Sequence, residues 1–351
     1  MQATENPLRF EPAQPTQDGE CFMVKFIIKR VLYCTLILFL VMFVIYTLMT
    51  SLPSGYIEKQ ARMLSQHPGT QKSYEQWVQE MEVNLGMDKG LVEGYFIWLG
   101  NAVQGEFGDS WNWTVPVVDK FQAVIWYSFA LSMIAFVIQV AIAIPLGILA
   151  AKKQYGIADY TISVVALVGI SMPTFFLASL LKLVFAANLN WFDIGGMQGR
   201  DHLQLDAFGR FLDTCHHMVL PVVTLTITGI GGLMRYTRTN TLEVLNADYI
   251  RTARAKGLSE KRVIGYHAFR NTLIPIVTIV GGSLPGLFSG ALITETLFDI
   301  RGIGYVSYHS MVNGDIPFTM FYLAFSSILI LMGTLLSDIL YAVVDPRVRL
   351  N

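Results

Sequence analysis

Charged side chains are scarce in this sequence. Lys, Arg, Asp and Glu together make up 15% of its 351 residues, against roughly 25% in ordinary soluble domains. Hydrophobic residues reach 53%, and the mean hydropathy is +0.47. A water-soluble fold of this composition would have too little polar surface to cover itself. The formal net charge of −1 also argues against a generally basic, nucleic-acid-binding chain.

Sequence motifs of covalent chemistry and metal binding are absent as well. The chain has no G-x-x-x-x-G-K-S/T phosphate loop, no H-E-x-x-H pair and no G-x-S-x-G elbow. Its three cysteines have no paired spacing, which argues against a disulfide framework or a zinc site. His216 and His217 are adjacent, and neighbouring side chains do not share a helix face. We therefore expect no catalytic residues, no metal site and no ATP hydrolysis by this chain alone.

The sequence contains long apolar runs in place of catalytic or metal-binding motifs. Six of them could cross a bilayer, which takes about 20 helical residues. They cover residues 31–52, 123–151, 160–181, 218–234, 273–294 and 317–337. These runs predict an all-α integral membrane protein with six transmembrane helices.

The cations beside these runs predict the orientation of the chain. Lys and Arg cluster before the first run, after the second, between the fourth and fifth, and after the sixth. All four clusters fall on one side, so both termini are predicted to be cytoplasmic. The predicted divisions are a disordered cytoplasmic tail (1–24), a first membrane helix (25–52), an extracellular, partly helical segment (53–122), a membrane core (123–346) with a cytoplasmic loop (235–272), and a cytoplasmic C-terminus (347–351).

The long segment 53–122 contains four tryptophans, Trp77, Trp98, Trp111 and Trp113. Local packing at the membrane interface explains them most simply, and contact with an external partner is the alternative. A connection of this length is unusual without a structure of its own.

Two apolar runs contain residues that interrupt helices, "GISMPTFF" (169–176) and "GGSLPGLFSG" (281–290). Small residues let helices pack closely, and they also loosen a helix where a pathway must open. Glu295 follows the second stretch along the chain. It is either a hydrated helix end or part of an outer gate that meets a substrate amine. The candidate pathway residues are Ser171, Met172, Pro173, Ser283, Leu284, Pro285 and Glu295. An ion-coupled carrier or channel remains an alternative, although such proteins usually hold charges inside the membrane.

The stretch "NADYIRTARAKGLSEKRVIGYH" (246–267) concentrates five cations around Gly257. Asp248 suits the start of a helix, Gly257 suits its C-terminal cap, and Ser259 suits the cap of a second helix. Ile250, Ala253 and Leu258 form too small an apolar patch for a lipid-binding helix. We therefore favour docking into a groove of another protein over positive-inside charge alone.

At this point the sequence resembles a known family. "DYIRTARAKGLSEKRVIGYHAFRNTLIPIV" (248–277) is similar to the cytoplasmic loop of ABC-importer permeases of the dipeptide and oligopeptide type. "FGDS…PV" (107–117), "IPLGILAAKK" (144–153), "ETLFDIRGIG" (295–304) and "YAVVDPRVR" (341–349) extend the resemblance. The wider superfamily has a Glu-Ala-Ala triplet before the loop glycine. Here those positions read Arg251-Thr252-Ala253, so the glutamate is missing.

The resemblance implies a type I ABC importer permease that transports short peptides, located in a bacterial cell membrane. It implies as partners a second homologous permease subunit, two cytoplasmic ATPase subunits or domains and an extracellular solute-binding protein, with no nucleic acid. No cofactor is expected on this chain, because ATP and Mg²⁺ would bind the ATPase subunits. Nickel, glutathione or oligosaccharide are alternative substrates within the family. The residues expected to couple to the ATPase are Tyr249, Arg251, Thr252, Ala253, Arg254, Ala255, Lys256, Gly257, Leu258 and Ser259.

Overall fold

The computed structural model describes residues 17–52, 55–66 and 72–344. Within these ranges the chain is helical, and it has no β-strand beyond an isolated bridge between Asp109 and Pro116. The helices are α1 (Gln17–Thr50), α2 (Gly55–Ser65), α3 (Tyr74–Asn84), α4 (Leu91–Val103), α5 (Val117–Lys152), α6 (Ile157–Ser171), α7 (Thr174–Leu181), α8 (Ala207–Leu245), α9 (Asp248–Ala255), α10 (Glu260–Arg262), α11 (Phe269–Ser283), α12 (Leu292–Leu297), α13 (Ile303–Asn313) and α14 (Ile316–Val344).

Five helices of the described chain are long and apolar enough to cross a membrane, and a bent pair makes six if it counts as one span. The pair is α6 with α7, whose α-helix runs on through a wider π turn at Lys182–Asn188. Each of the six predicted runs overlaps one of these spans, which confirms the all-α membrane fold. Helices α5 and α8 extend beyond their apolar runs at both ends, because the flanking polar residues continue the same helical backbone. The 36 residues of α5 would span about 54 Å.

Two of the predicted divisions overlap helices of the structure. Helix α1 begins at Gln17, inside the predicted tail, and residues 1–16 and 347–351 lie outside the described ranges. The predicted cytoplasmic loop 235–272 contains the end of α8, which continues to Leu245, and the helices predicted on either side of Gly257, α9 and α10.

Helix α8 lies at the centre of the membrane core, packed against α5, α6, α7 and α11. Glycines permit this close packing. A Cβ at Gly147 would lie 2.7 Å from the Met234 carbonyl oxygen, and one at Gly231 would lie 2.6 Å from the Ala166 carbonyl oxygen. Any larger residue there would push α5 or α6 away from α8.

The segment between α1 and α5 folds as a helical layer against α1 and α14, as its predicted partly helical character requires. Trp98 and Trp111 are buried in its apolar core, and the Tyr95 hydroxyl donates to the Phe39 carbonyl at 2.8 Å. The Trp113 indole donates to the Ser310 hydroxyl at 3.3 Å. Local packing therefore accounts for these three tryptophans.

Asp315 joins this layer to the start of α14. Its buried carboxylate accepts hydrogen bonds from the Ser110 hydroxyl and from the N–H groups of Asn112 and Phe318. Burial raises the pKa of Asp315 above its ordinary value, and these donors oppose the shift. At the other end of α14, Asp338 pairs with Arg30 of α1 at 3.1 Å.

Candidate functional site

The candidate site is the turn that connects α8 to α10, residues 246–259, which we call the docking turn. Helix α9 ends where Gly257 takes a φ of +75°, a left-handed conformation that glycine adopts without strain. The Gly257 N–H donates to the Arg254 carbonyl at 2.9 Å, and the Leu258 N–H reaches the Ala253 carbonyl at 3.4 Å. This pair of bonds defines a Schellman motif, which confirms Gly257 as the predicted cap.

One face of α9 is buried within the chain. Ile250 is fully buried and Ala253 is 6% exposed. They pack with Val263 and Ala268, which begin and end the π-helical turn between α10 and α11. Val244, Leu245 and Leu258 complete the cluster. The apolar patch noted in the sequence therefore holds α9 against the ends of α8 and α10. Ala253 points into this cluster, so its side chain is not available to a partner.

The opposite face of the docking turn is open. The side chains of Arg251, Thr252, Arg254, Ala255, Lys256 and Ser259 are exposed, as is Gly257, and Leu258 is half-buried. Tyr249 is 47% exposed, and its partial burial raises the pKa of the phenol, so the hydroxyl stays protonated at neutral pH. An aromatic ring beside several cations on a rigid turn suits binding to a protein surface.

Two of the cations also make contacts within the turn. Arg254 pairs with Glu260 across the glycine, with Nε 2.7 Å and Nη2 3.4 Å from the carboxylate oxygens. Arg251 lies 3.6 Å from Asp248, and both side chains are highly exposed. The first pair links α9 to α10, whereas the second is of the kind that contributes little to stability.

The predicted pathway residues lie at two breaks in the helices. Helix α6 ends at Ser171, Met172 is extended, and Pro173 is the N-cap of α7, which turns away by 99°. Helix α11 ends at Ser283 and is followed by a 3₁₀ turn at Pro285–Phe288. Ser171, Pro173, Ser283 and Leu284 are exposed in this chain, whereas Met172 and Pro285 are half-buried.

Glu295 is fully buried and is therefore not a hydrated helix end. Its carboxylate accepts the N–H groups of Ala291 at 2.8 Å and Tyr305 at 3.0 Å. A Cβ at Gly302 or Gly304 would lie within 3.0 Å of the same carboxylate. Glu295 thus holds the start of α13 against α12, and any contact with substrate would require these bonds to open.

The sequence reading missed an ion pair between α6 and α8. Arg238 binds both oxygens of Asp159, at 2.6 Å and 2.8 Å, and Asp159 also accepts from the Tyr155 N–H at 3.0 Å. The Asp159 side chain is 4% exposed. The predicted third run begins at residue 160, and Asp159 lies just outside it. No local signal pairs it with an arginine 79 residues away.

Comparison with known proteins defines the class of this chain. Residues 143–350 match the family model of the binding-protein-dependent transport system inner membrane component, and residues 23–117 match the N-terminal model of such membrane components. The chain belongs to this family. It is accordingly a multi-pass inner-membrane permease subunit and not an enzyme, and ATP hydrolysis belongs to partner ATPases. A solute-binding protein is the other partner that the family implies.

Three relatives are similar over most of their length. The oligopeptide transport system permease protein AppB of Bacillus subtilis is 35% identical over 328 residues, covering 93% of this chain and all of the relative. The oligopeptide transport system permease protein OppB of Haemophilus influenzae is 32% identical over 335 residues, with coverage of 93% and 100%. The dipeptide transport system permease protein DppB of Escherichia coli K12 is 34% identical over 286 residues, with coverage of 77% and 84%.

Proposed function

We propose that this chain forms the translocation pathway for short peptides in an ATP-driven importer and couples that pathway to cytoplasmic ATPase subunits. The observation that carries the proposal is the docking turn, whose exposed cationic and aromatic face is anchored by a buried one. The peptide substrate is inferred from relatives named as oligopeptide and dipeptide permeases.

The packing of the docking turn couples α9 to the neighbouring helices, so that a displacement of α9 would displace them too. The buried cluster of this turn contains residues of α8, of α9 and of the π-helical turn Val263–Ala268 that joins α10 to α11. Displacement of α9 would therefore move the adjoining ends of α8 and α11. Close-packed interfaces shift as units and do not deform continuously. The coupling surface comprises Tyr249, Arg251, Thr252, Arg254, Ala255, Lys256, Gly257, Leu258 and Ser259. Ala253 supports this surface from the buried cluster on the opposite face of α9.

Movement of α8 would carry α6 with it through the Asp159–Arg238 pair. The break at Ser171–Pro173 would let α6 move relative to α7. The break after Ser283 would likewise let α11 move relative to the 3₁₀ turn that follows it. We infer that these breaks border the pathway. Glu295 supports the α12–α13 connection beside the second break and faces the pathway only in another conformation.

The assembly we propose contains this chain, a second homologous permease, two ATPase subunits or domains and an extracellular solute-binding protein. The docking turn faces the cytoplasm, in accord with the loop cations. The ATP and Mg²⁺ of the transport cycle bind the ATPase subunits and not this chain.

Transport by the reconstituted assembly tests this function. Proteoliposomes containing the complex, with ATP on the ATPase side and the solute-binding protein on the other, should accumulate radiolabelled di- to oligopeptides. Excess unlabelled peptide should compete, whereas nickel, glutathione and oligosaccharide should not. Uptake that needs an ion gradient but no ATP, or competition by a non-peptide alone, would overturn the proposal.

A further inference from the structure

Two histidines and an aspartate converge at the end of α8 farthest from the docking turn. His217 Nε2 lies 3.2 Å from a carboxylate oxygen of Asp193, and His216 Nδ1 lies 3.7 Å from the same oxygen. The three potential ligand atoms all lie within 4.8 Å of one another. The histidines point in different directions from their helix, as their spacing requires. They nevertheless meet, because Asp193 lies in the preceding loop between their two rings.

The remaining ring nitrogens fix which atoms face Asp193. His217 Nδ1 lies 2.8 Å from the Asp213 carbonyl oxygen, and His216 Nε2 lies 3.0 Å from the Trp191 carbonyl oxygen. A carbonyl oxygen only accepts hydrogen bonds, so each of these nitrogens carries the proton. In neutral imidazoles the lone pairs then lie on His217 Nε2 and His216 Nδ1.

Three electron-pair donors therefore face one another, two imidazole nitrogens and a carboxylate. Such groups repel unless a cation lies between them or the imidazoles are themselves protonated. Ligands around a metal at about 2.1 Å in tetrahedral geometry lie roughly 3.4 Å apart. Two of the three separations, 3.2 Å and 3.7 Å from the Asp193 oxygen, bracket that value, and the two imidazole nitrogens lie within 4.8 Å of each other.

A second layer of hydrogen bonds supports the convergence. The Asp213 carboxylate lies 3.4 Å from His217 Nδ1 and 2.6 Å from His202 Nδ1, and it accepts the Gly199 N–H at 2.9 Å. Metal-binding histidines commonly have a carboxylate or carbonyl on the nitrogen that does not bind the metal, because this contact orients the ring and raises its basicity.

We propose that Asp193, His216 and His217 form a site for a divalent transition metal of the Zn²⁺ type. Two imidazoles and one carboxylate are a common three-ligand set for zinc. The His217 side chain is 3% exposed, whereas those of His216 and Asp193 are 46% and 56% exposed. A fourth position is thus open to water or to a donor from a partner.

The metal would fasten the loop between the π turn after α7 and the start of α8. That loop also contacts the end of α12, where the Gly196 N–H donates to the Phe298 carbonyl at 2.7 Å. The site would therefore act as a clamp on this end of the helix bundle. It does not depend on the peptide-import proposal, because metal binding is measured without transport.

Binding of Zn²⁺ and Co²⁺ to the full-length chain tests the site. The protein is purified in detergent without a polyhistidine tag, stripped with chelator, and carries Cys215→Ser to remove an exposed neighbouring thiol. We expect stoichiometric Zn²⁺ binding by calorimetry, and visible Co²⁺ absorption of a four- or five-coordinate site that Zn²⁺ displaces.

Variants identify the ligands. Asp193→Asn and His216→Gln change exposed side chains, so the fold should survive, and each should weaken Zn²⁺ binding at least about tenfold. His309→Gln is the matched control, because its imidazole packs against the Tyr305 ring outside the cluster, and this variant should bind Zn²⁺ as the parent does. The proposal is wrong if the parent binds no Zn²⁺, if both ligand variants bind normally, or if the control loses binding to the same extent.

Discussion

Gly257 offers a graded test of the docking turn, because strain can be added there without a side-chain clash. Its φ is +75°, and a Cβ at this position would meet no atom within 4 Å. Any effect of substitution therefore arises from the backbone. Alanine in the left-handed region costs about 1–2 kcal/mol, and asparagine less, since its short polar side chain tolerates this region.

Proline at this position is a different perturbation. Its ring fixes φ near −65° and removes the N–H, so the 2.9 Å bond to the Arg254 carbonyl is lost and the Schellman motif cannot form. The cost in a comparable helical setting is about 3 kcal/mol or more. Burial of Ile250, the main anchor of α9, contributes about 1.5–3 kcal/mol. Alanine should leave α9 anchored, whereas proline should release it.

Co-purification of the ATPase and its substrate-stimulated ATP hydrolysis measure the consequence in the assembled importer. The stimulated ATPase rate of Gly257→Asn and Gly257→Ala should stay within about threefold of the parent rate. The rate of Gly257→Pro should fall more than about tenfold, which corresponds to roughly 1.4 kcal/mol. The matched control is Gly265→Ala, which also has no atom within 4 Å of a Cβ but has no positive φ.

The control should be neutral, because alanine favours a helix more than glycine does. Full coupling by Gly257→Pro would refute the assignment of this turn as the ATPase contact. Equal loss in Gly257→Pro and Gly265→Ala would show that the effect is not specific to the turn.

Asp159→Ala should destabilise the detergent-solubilised chain by about 3–5 kcal/mol, because it leaves the partly buried Arg238 without its partner. Thermal unfolding measures this, and addition of Arg238→Met should restore part of the loss; equal loss in the single and double variants would contradict the ion-pair argument. Ser171→Cys and Ser283→Cys, in a chain without native cysteines, should change their thiol-labelling rates when ATP turnover is trapped. Ser51→Cys at the end of α1 should not, and unchanged labelling at both breaks would exclude them from the pathway.

The secondary structure of the docking turn could be predicted from the local sequence. Asp248, Gly257 and Ser259 predicted helix, cap and helix, and the structure confirms all three positions. Such signals are local, since capping and left-handed glycine depend on residues within one turn of the chain. The direction in which Ala253 points is not local, because it depends on Val263 and Ala268 packing behind it.

The apolar runs and the cap signals thus determined the class of fold and the place of the docking turn. The tertiary structure alone decided that Glu295 is buried, that Asp159 pairs with Arg238, and that His216 and His217 meet at Asp193. Each of these depends on backbone segments brought together by folding. Asp159 and Arg238 are 79 residues apart, a distance over which hydropathy and helical periodicity carry no information.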